Sequence, residues 1–114
     1  MNVSTRSEYV DFTSRVAEKV AEEPEGNRGI LICRNGAGMD IAANKFDNIR
    51  SALGFNTEQV RLARNDDNVN ILALPSDFVS ENQVKDIIEM FLDTPFEGHE
   101  RFVRRINKIR KLEK

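Results

Sequence analysis

The sequence predicts an α/β domain, a parallel sheet with helices on both faces in a three-layer α/β/α arrangement. Short apolar runs alternate with amphipathic segments along its 114 residues. The runs are continuous and rich in β-branched residues, as strands buried on both faces are. The segments between them are long enough to be the right-handed crossovers that parallel strands require. The length fits one domain over residues 1–114.

The order read along the chain is α-β-α-β-α-β-α-α. Ser7 is placed to cap a first helix, in which Tyr9, Phe12, Val16 and Val20 recur at helical spacing as its core face. Pro24, Gly26 and Gly29 end it. Gly29–Cys33 reads as a buried strand, Asn35–Gly38 as a tight turn, and Met39 to about Asp47 as a short helix. Ile49–Phe55 is a second strand candidate, followed by a helix capped by Thr57 that holds Val60 and Ala63. Asn70–Leu74 is a third strand, stopped by Pro75. Ser80 and Gln83 form a capping box. Behind it Val84, Ile87, Ile88, Phe91 and Leu92 trace the clearest apolar face in the chain. A last helix turns Phe102, Ile106 and Ile109 one way, with Arg101, Arg105 and Lys108 on a neighbouring face. Three parallel strands make a narrow sheet whose edges call for cover, so a partner chain or further sheet is expected.

Composition excludes several classes. No apolar run approaches a membrane span, and the polar opening Met1–Tyr9 is not a signal peptide. One Cys allows no internal disulfide and fits a reducing, cytoplasmic setting. A single His and a single Cys leave no metal-ligand set, and Asp66 and Asp67 read as a turn or cap pair. Residues 101–114 carry seven Lys/Arg against one acid, while residues 1–100 hold ten bases and eighteen acids. An acidic body with a basic tail argues against a nucleic-acid partner for the whole domain, but leaves an anion site in the tail open.

Ligands of open α/β sheets bind beyond the carboxyl ends of the strands. Cys33 stands at such an end, before a glycine turn and a helix start that together offer backbone N–H groups. A thiol there can serve as nucleophile or proton-transfer base, with the N–H groups holding an oxyanion. It can equally be a small buried side chain. Gly36-Ala37-Gly38 opens a GxGxxG, but Ile41 stands at the third glycine and there is no GK[ST]. The turn is thus a phosphate cradle or simply a turn, and nucleotide binding is the weaker idea. Arg101, Arg104 and Arg105 are spaced to clamp a phosphate or to form a solvated face. His99 reads as surface.

Together these pieces resemble the ribose-5-phosphate isomerase B / galactose-6-phosphate isomerase family. The likeness runs from about Tyr9 to about Ile109. Its most specific block is Arg28-Gly-Ile-Leu-Ile-Cys33 through Gly36-Ala-Gly-Met and Ile41-Ala-Ala-Asn-Lys45. Ile49–Leu53, Arg61–Arg64, Asn70–Leu74, Thr94–Gly98 and Arg101–Ile109 continue it. The resemblance implies a Rossmann-like sheet and a cofactor-free, metal-free aldose–ketose isomerase of phosphorylated sugars, working through a cis-enediolate. It implies Cys33 as base and Gly36, Ala37 and Gly38 as the anion hole, with Tyr9 near the substrate. Arg101 and Arg105 become phosphate ligands, often supplied by a neighbouring subunit of a homodimer or homotetramer. The family's opening strand, ending in Asp-His, has no counterpart here, so the sheet is expected to be truncated on its N-terminal side. Phe55, Asp66 and Phe102 stand at family His positions. Asp77 stands near a phosphate-linked Arg, where a carboxylate would repel phosphate. Arg34 replaces a Gly and offers a substitute cation; Asn35 replaces Thr or Ser and keeps a hydroxyl partner. A non-catalytic sugar-phosphate-binding or structural subunit of the same fold is the alternative reading.

Overall fold

The computed structural model describes residues 8–113, so the cap expected at Ser7 lies outside them. The elements are α1 (Glu8–Glu22), β1 (Gly29–Cys33), α2 (Ala37–Ala43), β2 (Ser51–Leu53), α3 (Thr57–Asp67), β3 (Ile71–Pro75), α4 (Glu81–Asp93) and α5 (Glu100–Arg110). The strands form one parallel sheet in the order β1-β3-β2, in register Gly29↔Ile71 through Cys33↔Pro75 and Ser51↔Ile71 through Leu53↔Ala73.

All five residues of β3 are buried, which is what the central strand of a three-layer fold requires. Its alternation divides the core. Ile71 packs with Leu31 of β1, Ala17 and Val20 of α1, and Met39 and Ala43 of α2. Leu72 and Leu74 point the other way, onto Val60 of α3 and Ile87 and Phe91 of α4. Burying a side chain the size of Phe91 or Ile87 stabilises by roughly 1.5–3 kcal/mol.

Polar side chains tie the amino ends of the strands. Asn70 is 1% exposed. Its Oδ1 accepts from Arg50 N at 2.8 Å, and its Nδ2 donates to Asn48 O at 3.0 Å and Pro24 O at 3.2 Å. Arg64 is buried and donates to Val69 O, Thr94 O and Asn68 Oδ1 at 2.6, 2.9 and 3.0 Å. Burial, then the nearby Arg28 and Arg50, pull its guanidinium down to about 10. Arg28 Nη1 donates to Phe91 O and Leu92 O and so closes the carboxyl end of α4. The capping box of Ser80 and Gln83 is present.

Several boundaries differ from the sequence reading. The second strand contracts to Ser51–Leu53. Ahead of it, the Asn70 side chain takes the Arg50 N–H in place of a ladder bond. Asn44 then brackets Ser51, its Oδ1 accepting from Ser51 N and its Nδ2 donating to Ser51 O, both at 2.9 Å. The cap of α3 is Asn56, not Thr57: its Oδ1 accepts from Gln59 N at 2.8 Å. Pro75 ends β3 from within, since the next ladder bond is made by Ser76 N to Cys33 O. Asp66 and Asp67 close α3 rather than forming a turn; the reversal falls on Asn68, at φ 51°. The apolar stripes of α1, α4 and α5 are wider than the faces they bury, leaving Phe12, Leu92 and Ile109 about half exposed.

Candidate active site

The carboxyl ends of β1 and β3 meet in a short backbone seam. Cys33 O accepts from Ser76 N at 2.8 Å and from Ser76 Oγ at 3.3 Å, and Arg34 O accepts from Asp77 N at 2.9 Å. These bonds carry the β1–β3 pairing past Cys33 and hold the thiol's backbone at the sheet rim. The thiol itself is half-buried against the α1/α2 core.

The turn that follows is built from three residues. Asn35 Oδ1 accepts from Ala37 N at 3.0 Å, an Asx turn that starts α2. Gly36 is buried at φ 79°, in the left-handed region that favours glycine. A Cβ on Gly36 would stand 2.5 Å from Leu53 Cδ2 and 3.4 Å from Pro75 N. Tyr9 lies over Gly38, where a Cβ would be 2.9 Å from its Oη and Cε1. Tyr9 is therefore at the site and 44% exposed, not in the core as helical spacing alone suggests. Among the described residues the N–H groups of Gly36 and Gly38 find no acceptor, whereas that of Ala37 is already taken by Asn35.

Cys33, Asn35, Gly36, Ala37, Gly38 and Tyr9 are thus one cluster. Arg101 and Arg105 are not part of it. Both guanidinium groups lie over the ring of buried Phe102, at 4.8 and 5.9 Å. Their helix packs beside the strands' amino ends, where Val103, Ile106 and Arg110 line a cleft of about 330 Å³ with Pro24, Asn48 and Arg50. A five-residue strand, roughly 15 Å long, separates the two ends. Phe55 is half exposed. His99 is exposed at the start of α5, edge-on to Phe102 at 5.5 Å.

One feature of the rim escapes linear reading. Arg34 Nε donates to Asp77 Oδ2 at 3.1 Å, so the substitute cation is not free but paired. The signal was two opposite charges just past two strand ends; the register Cys33↔Pro75 is what makes them neighbours.

The model of the Ribose/Galactose Isomerase family matches residues 1–109. Ribose-5-phosphate isomerase B from Escherichia coli is 37% identical over 108 residues, covering 93% of this chain and 72% of that protein. A probable ribose-5-phosphate isomerase B from Mycoplasma genitalium is 42% identical over 107 residues, covering 94% of this chain and 70% of its own length. The crystal structure of the M. genitalium enzyme with bound ribulose 5-phosphate superposes with a TM-score of 0.90 at 39% identity, over 97% of this chain and 72% of that one. The type B enzyme of Trypanosoma cruzi gives 0.88 at 41%, over 98% and 71%. With its order of elements, parallel sheet and glycine turn behind Cys33, the chain belongs to the ribose/galactose isomerase family.

Proposed function

We propose that this chain interconverts an aldose phosphate and a ketose phosphate, with Cys33 as the proton-transfer base. One observation carries the reading: a half-buried thiol at a strand exit, beside a turn whose Gly36 and Gly38 N–H groups are free of acceptors among the described residues and over which Tyr9 lies. Ribulose 5-phosphate bound to the M. genitalium relative supports the substrate class.

The thiolate form of Cys33 takes the proton from C2 of the open-chain aldose phosphate. The C–H pair moves into a C1–C2 double bond and the carbonyl oxygen becomes the enediolate O⁻. The free N–H groups of the glycine turn stabilise that oxygen. Cys33 returns the proton to C1, the O2 hydroxyl proton passes to O1, and the ketose forms without net oxidation. Asn35 keeps its amide Nδ2 for a substrate hydroxyl, since its Oδ1 is held by Ala37 N.

The phosphate falls to Arg101 and Arg105 of a second copy, in a homodimer or homotetramer with shared sites. This accounts for two exposed guanidinium groups held over Phe102 at the end of the sheet remote from their own Cys33. Conversion of ribose 5-phosphate to ribulose 5-phosphate by wild type, with loss of about 10²–10⁴ in rate for Cys33→Ala, is the expected result. Equal rates for the two proteins would remove Cys33 from the role. Mixing Cys33→Ala with Arg101→Gln/Arg105→Gln subunits should regenerate activity; no recovery would refute the shared site.

A further inference from the structure

We propose that Arg34 and Asp77 act as one clamp that reads hydroxyl groups on the substrate's carbon chain and so selects the sugar. The inference rests on the isomerase reading above. The two side chains leave adjacent strand exits and pair at 3.1 Å, one and two residues beyond the register pair Cys33↔Pro75. The bonds Asp77 N to Arg34 O and Ser76 N to Cys33 O fix both backbones to the segment that presents the thiol. The pair therefore stands at the rim of the reacting centre and is held there by main chain.

The side chains are 89% and 48% exposed, and an exposed ion pair adds little to stability. What it provides is a recognition pattern. Among the described residues Asp77 engages only Nε, so both terminal guanidinium nitrogens remain as donors, and Asp77 Oδ1 remains as an acceptor. A donor and an acceptor side by side complement a hydroxyl, which is both, and two of them complement a vicinal diol. They do not suit a phosphate. The pair is neutral overall, and a phosphate on the guanidinium would face the Asp77 carboxylate. The anionic end of the substrate is left to Arg101 and Arg105.

Steady-state kinetics of wild type, Arg34→Gln and Asp77→Asn test this on ribose 5-phosphate and on analogues deoxygenated or epimerised at a single carbon beyond C2. Each variant should lower kcat/KM on the full sugar about ten- to a hundredfold, mostly through KM, as loss of a hydrogen bond to a charged group does. On the analogue lacking the hydroxyl that is read, the loss should vanish. No loss on any sugar, or the same loss on every analogue, would overturn the clamp. Unchanged urea midpoints should show both variants folded. If wild type turns over none of these sugars, the isomerase reading falls instead, and calorimetric binding of the same series judges the clamp by the same pattern.

Discussion

Gly36→Ala should weaken the fold by about 2–5 kcal/mol, far more than one methyl group on a loop normally does. The figure has two sources. At φ 79° an alanine occupies the left-handed region, which costs about 1–2 kcal/mol for a residue with a Cβ. The added carbon would also stand 2.5 Å from Leu53 Cδ2, with Pro75 N and Cα behind it at 3.4 and 3.5 Å. Leu53 is hydrogen-bonded through its carbonyl to Gln59 Nε2 and is the last residue of β2, so only its side chain can yield. Relieving such an overlap takes a further 1–3 kcal/mol or so. Urea unfolding should show the midpoint falling by roughly 1–3 M at ordinary m-values. Gly26→Ala is the matched control: its nearest neighbour is the flexible Glu23 carboxylate at 3.1 Å, and no positive φ is involved. It should lie within about 0.5 kcal/mol of wild type. If Gly36→Ala falls in that same range, the account of the turn is wrong.

Arg64→Met should cost about 3–5 kcal/mol in urea unfolding, because three acceptors at the α3 end lose their donor. Arg64→Lys should not rescue it, since one ammonium cannot span the same fork. Ser80→Ala should cost about 1 kcal/mol by the same measurement, through loss of the cap on α4. Asp40 is pushed above its usual 3.8 by burial, partly offset by the 2.6 Å bond from Ser51 Oγ. A carboxyl raised in the folded state contributes stability below its unfolded pKa and loses it as pH rises through the folded one. Asp40→Asn should therefore gain stability relative to wild type as pH climbs from below 3.8 through the carboxylate range, read from urea midpoints. A flat difference would refute the shift.

The alternation of elements was legible because apolar runs and amphipathic stretches differ in period, and because the capping box at Ser80 and the tight turn at Asn35–Gly38 are local chemistry. Which strand lies in the middle was not legible. Nothing in Ile71–Pro75 distinguishes it from Gly29–Cys33 until both are paired, and the order β1-β3-β2 is a property of the assembled sheet. Asn70 and Arg64 look like surface residues in a list of polar letters; they are buried because loops arriving from distant positions need their hydrogen bonds. The cluster around Cys33 was readable for the same reason as the caps, its residues being neighbours in sequence. Tyr9 was placed near the substrate only by the family resemblance, since a residue on a helix face declares its spacing but not what stands opposite.

β3 bonds to both other strands, which do not bond to each other. Their amides accordingly share one hinge: opening of Ile71–Pro75 releases β1 and β2 together, so slow hydrogen exchange in the two outer strands should converge on a common opening energy. Sequence drift along β3 would then be registered at the thiol on the neighbouring strand, without any residue of β1 having changed.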